Sequence, residues 1–173
     1  AAVVQKTKAV IEDGADEVDL VIPYRAILEG RDEAAATMVR AVRAICPDEI
    51  ILKVILETGE LQDEALIRRA SRIAIAEGAD FIKTSTGKVA VNATPDVAAM
   101  ILEEIAKSGR TIGFKAAGGL KTAADAAVYL EHADRILGPD WATADRFRFG
   151  ASSVLNALLV AAEGRDAGLA EGY

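Results

Sequence analysis

Two lysines and one aspartate interrupt apolar runs that otherwise have the look of buried strands. Lys83 follows Asp80-Phe81-Ile82 and leads into Thr84-Ser85-Thr86-Gly87-Lys88. Lys115 follows Ile112-Gly113-Phe114 and leads into Ala116-Ala117-Gly118-Gly119, while Asp19 lies inside Glu17-Val18-Asp19-Leu20-Val21-Ile22. Burying an ammonium without a partner costs several kcal/mol or drives off its proton. Two lysines close together in a poorly solvated site repel, so at least one is pushed toward the neutral amine. A neutral amine adds to a carbonyl carbon, and loss of water leaves a Schiff base. The resulting iminium withdraws electrons from the neighbouring carbon, which is what making or breaking a carbon–carbon bond requires. Asp19 would hold the second ammonium or help move protons. The structural alternative is that each charge simply pairs at a strand end; the trio, with glycine turns attached, favours chemistry.

Strands and helices alternate along the chain so as to bring these residues together. A helical spacing over residues 1–13 ends at Gly14, and the strand that follows is closed by Pro23. A helix is expected from Arg31 to Ile45, a strand from Ile50 to Glu57, and a helix opened by Asp63 and ended by Gly78. After the Lys83 strand, Thr94-Pro95 is an N-cap followed by proline at the first helical position, introducing a helix from Asp96 to Lys107. The Lys115 strand, a helix capped by Thr122 and running to about Glu131, a looser segment with Trp141, and a strand at Arg146–Gly150 complete the order, and Ala151-Ser152-Ser153 begins a last helix. Such alternation implies parallel strands joined by right-handed crossovers. An open doubly wound sheet and part of an eight-stranded barrel both fit. No GxGxxG follows the first strand, which weakens a dinucleotide fold. Gly118-Gly119 and Gly150 with Ser152-Ser153 instead follow the last two strands, where a TIM (β/α)8 barrel builds its phosphate site. The five strands are therefore expected to be strands 4 to 8 of such an α/β barrel, in a single domain over residues 1–173, with about three βα units lacking at the front.

Composition narrows the classes further. Half of the 173 residues are apolar, enough to bury a core, and no run approaches the ~20 apolar residues of a membrane span. A formal charge of −7 argues against nucleic-acid and acidic-membrane surfaces, although one or two local lysines suffice for a small phosphorylated ligand. One cysteine, Cys46, fits a reducing, cytoplasmic setting, and with one histidine, His132, neither a His-rich metal site nor a His-based triad is plausible.

The segments EVDLVIPYRA, KVILETGEL, DFIKTSTGK, GFKAAGG and FRFGASS, five motifs that occur in the right order over essentially the whole chain, resemble the deoxyribose-phosphate aldolase family of class I aldolases. The resemblance implies a TIM barrel and reversible cleavage of 2-deoxy-D-ribose 5-phosphate to D-glyceraldehyde 3-phosphate and acetaldehyde, with no metal or organic cofactor. It also implies roles: Lys83 as the Schiff-base lysine, Lys115 lowering its pKa, Asp19 in the proton relay, and Tyr173 in proton transfer. By the same resemblance Gly87, Lys88, Gly118, Gly119, Ser152 and Ser153 face the substrate phosphate, and Thr86 the substrate. Ala116 stands where many members have proline, which loosens the turn without removing a reactive group. The absent front third would leave an unpaired sheet edge, so a homo-oligomer, or completion by another chain or segment, is expected.

Other residues are assigned structural roles. Lys53 is expected deeper in the barrel, paired with a carboxylate, while Glu57 and Thr58 stand at the mouth of their strand holding water or Lys53. Asp16 and Glu17 are expected to precede their strand, solvated. Glu103, Glu104 and Lys107 read as a helix surface, Cys46 as packing, and Trp141 as a local core anchor.

Overall fold

The computed structural model describes residues 2–150 and 153–163, with the side chain of Ser153 outside that description. Five strands form one all-parallel sheet in sequence order: β1 (Glu17–Val21), β2 (Ile51–Ile55), β3 (Phe81–Lys83), β4 (Gly113–Ala117) and β5 (Phe147–Gly150). The helices are α1 (Ala2–Glu12), α2 (Tyr24–Leu28), α3 (Asp32–Arg43), α4 (Thr58–Leu61), α5 (Glu64–Ala76), α6 (Pro95–Ser108), α7 (Ala123–Leu137) and α8 (Ser153–Ala162). None of these helices is long and apolar enough to cross a membrane.

Strand order following chain order without reversal is the topology of a (β/α)8 barrel wall rather than of a doubly wound sheet. The period of two along each strand sorts the side chains. Val18, Leu20, Leu52, Val54, Ile82, Phe114 and Ala116 face the helical layer and are buried in it. Against them pack Ala35, Val39 and Val42 of α3, Ile67, Ala70 and Ala74 of α5, and Ala98, Ile101, Leu102 and Ile105 of α6. Small residues at the helix contacts let α5 lie against α6 and α6 against α7. The charged residues fall on the opposite face of the sheet.

The helix boundaries follow their caps. Thr94 accepts the Val97 N–H with Pro95 as the first helical residue, and Asp63 accepts the Leu66 N–H to open α5. Thr122 and Asp125 form a reciprocal capping box that opens α7. That helix runs to Leu137 rather than to Glu131, because Ala133, Ile136 and Leu137 extend its apolar face against the core. Two short helices, α2 and α4, fill connections that carry no helical period of their own. Trp141 does anchor the connection before β5, edge-on to Phe147 with ring centroids 6.4 Å apart, and Cys46 is packed in the core.

Two surface expectations are corrected. Glu104 is buried between α5 and α6, where Arg68, Arg72 and Lys107 all reach its carboxylate within 3.0–3.2 Å. A helix period cannot show that a neighbouring helix supplies the compensating cations. Glu17 does not precede its strand but begins β1, with its side chain on the charged face.

Candidate active site

Strand register, rather than proximity in sequence, assembles the site. Asp19 is level with Lys53 across β1 and β2, Lys83 is level with Lys115 across β3 and β4, and Lys115 is level with Arg148 across β4 and β5. All five project from the face that the helices do not cover. Lys83 Nζ lies 2.6 Å from Asp19 Oδ2, although 64 residues separate them. Lys53 Nζ holds the other Asp19 oxygen, Oδ1, at 3.0 Å. The aspartate is thus clamped between a lysine at the strand mouth and one below it.

Beneath this pair lies a floor that the sequence reading assigned only in part. Lys53 is 3% exposed, deep in the barrel and paired with carboxylates as expected. Its second partner is Glu17 Oε2 at 2.6 Å, and Arg148 Nη1 meets both Glu17 oxygens at 2.7 and 2.8 Å. Arg148 also lies over the Phe81 ring, 4.6 Å from its centroid. The ring has space because position 113 is glycine: a Cβ there would come within 2.4 Å of it. Arg148 was missed because it sits in an Arg-Phe-Arg-Phe alternation that marks a half-buried strand without saying which arginine points inward. The register with Lys115 settles that.

The electrostatics separate the groups. Burial would raise the Asp19 carboxyl, but hydrogen bonds from Lys83 and then Lys53 outweigh it and hold the group below its usual range. Hydrogen bonds from Lys53 and Arg148 likewise depress Glu17. Lys115 has its pKa lowered, first by burial and second by the charge of Lys83, with Asp19 opposing. It passes over Gly150, whose missing Cβ would stand 3.3 Å from the Lys115 Cε. An ionised carboxylate, a lysine biased toward its neutral form and a second lysine therefore share one face of the sheet.

The loop after β3 carries the next group of expected residues. Thr84 is fully buried and ties β3 to β4: its hydroxyl donates to the Ala117 carbonyl and accepts the Ala117 N–H. Thr86 is bound to Glu57, whose two oxygens accept the Thr86 N–H and hydroxyl, while Lys53 is held by Glu17 and Asp19 instead. Gly87 takes φ +86°, in the region that favours glycine, and Lys88 is exposed beside it. Gly118 and Gly119 have φ of +79° and +87°, and a Cβ on Gly118 would strike the Asn92 side chain at 2.7 Å. The Gly118 N–H donates to the Gly150 carbonyl at 3.3 Å, which fixes the turn after β4 against the end of β5. Ser152 and Tyr173 lie outside the described residues; Ser153 begins α8, three positions beyond Gly150 at the end of β5.

A barrel wall that brings Lys83, at the end of β3, together with Lys115 and Asp19 from the middle of β4 and β1 defines the class, an aldolase built on a (β/α)8 barrel. The chain belongs to the DeoC/LacD family of aldolases, whose family model matches residues 1–159. A deoxyribose-phosphate aldolase of Agrobacterium fabrum is 59% identical over 174 residues, a match covering 100% of this chain and 67% of that protein. Among solved structures, a Toxoplasma gondii ME49 protein assigned as a deoxyribose-phosphate aldolase superposes with a TM-score of 0.86 at 28% identity, over 96% of this chain and 67% of the other. An aldolase termed QR15 gives a TM-score of 0.72 at 29% identity, over 90% of this chain and 64% of its own.

Proposed function

We propose that this chain carries the Schiff-base half of a class I aldolase site that cleaves 2-deoxy-D-ribose 5-phosphate reversibly to D-glyceraldehyde 3-phosphate and acetaldehyde. The observation that carries the reading is the 2.6 Å contact of Lys83 Nζ with Asp19 Oδ2, level with Lys115 on the next strand. Asp19 takes the proton that must leave the Lys83 ammonium. The free amine adds to the aldehyde carbon of the open-chain sugar, and loss of water gives the iminium. Removal of the C3 hydroxyl proton breaks the C2–C3 bond, releasing glyceraldehyde 3-phosphate and leaving the C2 electron pair in an enamine. Protonation at C2, the step assigned to Tyr173, and hydrolysis of the iminium release acetaldehyde and restore Lys83. Lys115, biased toward its neutral form by burial, relays protons and discourages a second positive charge from settling beside the iminium.

Gly87, Lys88, Gly118, Gly119, Ser152 and Ser153 face the phosphate in this reading, with Thr86 toward the sugar. Support comes from glycines that open the backbone at two adjacent loops and from a helix that begins right after β5. The reaction needs no resident cofactor. The partner is a small phosphorylated aldose in a cytoplasmic setting. The sheet presents β1 and β5 as edges among the described residues, which favours a homo-oligomer or a further chain or segment that closes the wall. The same edges support a second reading, a phosphate-binding barrel segment without turnover.

Borohydride reduction in the presence of substrate, followed by peptide mapping, decides between the two. A reduced adduct on the Lys83 peptide is expected, with its loss and the loss of retro-aldol activity in a folded Lys83→Ala protein. An adduct that persists on Lys115 or Lys53 would move the nucleophile there. Ser153→Glu is expected to raise KM for phosphorylated substrate while leaving unphosphorylated aldehydes nearly unaffected; equal losses on both would count against a phosphate role.

A further inference from the structure

Two carboxylates are buried among the described residues, and they are treated differently. Glu104 is surrounded by cations, whereas Glu57, 3% exposed, meets no cation among those residues. Glu57 spends both oxygens on one residue instead. Its Oε1 accepts the Thr86 N–H at 3.1 Å, and its Oε2 accepts the Thr86 hydroxyl at 2.6 Å.

The backbone is bent to make this possible. Glu57 takes φ 55° and ψ 57°, a left-handed conformation that is strained for a residue with a side chain. The cause lies in the ladder. Leu56 N–H donates to the Lys83 carbonyl and Thr58 N–H to the Thr84 carbonyl, so two steps along one chain match a single step along the other. The extra residue is Glu57, and the bulge swings its side chain across the mouth of β3. Strain of this kind, together with a buried charge, persists only where the surroundings over-determine it.

A threonine hydroxyl has one proton and two lone pairs. In Thr86 the proton is committed to Glu57, and one lone pair accepts the Lys88 N–H at 3.2 Å. One lone pair is left. We infer that Glu57 is a positioning and specificity-determining residue: it fixes Thr86 as a hydrogen-bond acceptor toward a hydroxyl of the sugar phosphate, and through the same residue it sets the Lys88 backbone at the phosphate loop. The inference rests on the Schiff-base reading, in which Thr86 faces the sugar. Because Thr86 has no proton to offer, the site favours substrates that present a hydroxyl donor there over simple aldehydes.

Glu57→Gln tests this with no change of shape. Its amide oxygen can still accept the Thr86 N–H, but its nitrogen donates to the hydroxyl and so releases the Thr86 proton, reversing the polarity of the group. The readout is borohydride trapping on the Lys83 peptide as a function of ligand concentration, with 2-deoxyribose 5-phosphate and with acetaldehyde, which has neither hydroxyl nor phosphate. The half-saturating concentration of the sugar phosphate is expected to rise about 10- to 100-fold, while acetaldehyde trapping stays within about twofold. Adding Thr86→Val to Glu57→Gln should bring no further loss, since both act through one hydroxyl. Equal losses with both ligands, no loss with either, or additive losses in the double variant would overturn the inference. Should Glu57→Gln fail to fold, Thr86→Val alone must show the same split between ligands, and its absence overturns the inference. Failure of the unaltered protein to trap acetaldehyde would instead remove the Schiff-base reading, and the inference with it.

Discussion

Lys115 shows at the residue scale how one charge tunes another. Its lowered pKa has burial as its first cause and the Lys83 ammonium as its second. Replacing Lys83 by methionine removes the second and keeps the first. The midpoint for acetylation of Lys115, followed by peptide mass spectrometry across pH, is therefore expected to lie below the ordinary lysine value of 10.5 and to move up toward it in Lys83→Met. An unmoved midpoint would show that burial alone sets it. Asp19 shifts in the same direction with the opposite consequence for charge: against the cost of burial, its two lysine partners hold its carboxyl below the usual range and keep it ionised.

At the scale of elements, the inner face of the sheet is a short ladder of charge over an aromatic step. Phe81 of β3 lies in the gap that Gly113 of β4 leaves, and Arg148 of β5 lies on Phe81 while clasping Glu17 of β1. A methyl group at position 113 would have to displace the ring, a shift that overpacking data place at about 1–3 kcal/mol. Gly113→Ala is accordingly expected to lower the thermal midpoint measured by circular dichroism and to weaken activity through Arg148 and Glu17. Lys83 and Lys115 flank that position on their own strands. Wild-type stability in this variant would mean that the ring has another place to go.

The whole molecule is stabilised by carboxylates that the fold keeps ionised. Glu17, Asp19 and Glu104 all have pKa values depressed by cation partners, from ordinary values of 4.5, 3.8 and 4.5. Each contributes stability that is fully present above its unfolded value and is lost as pH falls through the lower folded value. The urea midpoint should hold steady from neutral pH to about 4.5 and then fall steeply. Lys115 acts in the other direction, since a lysine depressed by folding adds stability as pH rises toward 10.5. A midpoint that declines from pH 7 downward would point to some other group.

The strand and helix order, the caps at Asp63, Thr94 and Thr122, and the lysines that interrupt two apolar strands are all legible in the sequence, because each depends on residues within a few positions of one another. The inward face of each strand follows from alternation once the strand is recognised. What the sequence does not contain is register. Only the parallel pairing sets Lys83 beside Lys115 and carries it to Asp19, and only that pairing turns Glu17 from a solvated flank into the clasp of Lys53 and Arg148. Glu57 makes the same point for the loops: the residue is visible in ETGEL, but its bulge depends on a hydrogen-bond step between two strands. Local propensity selects the elements. Long-range pairing, which no local spacing encodes, decides which charges meet and so what chemistry the face can perform.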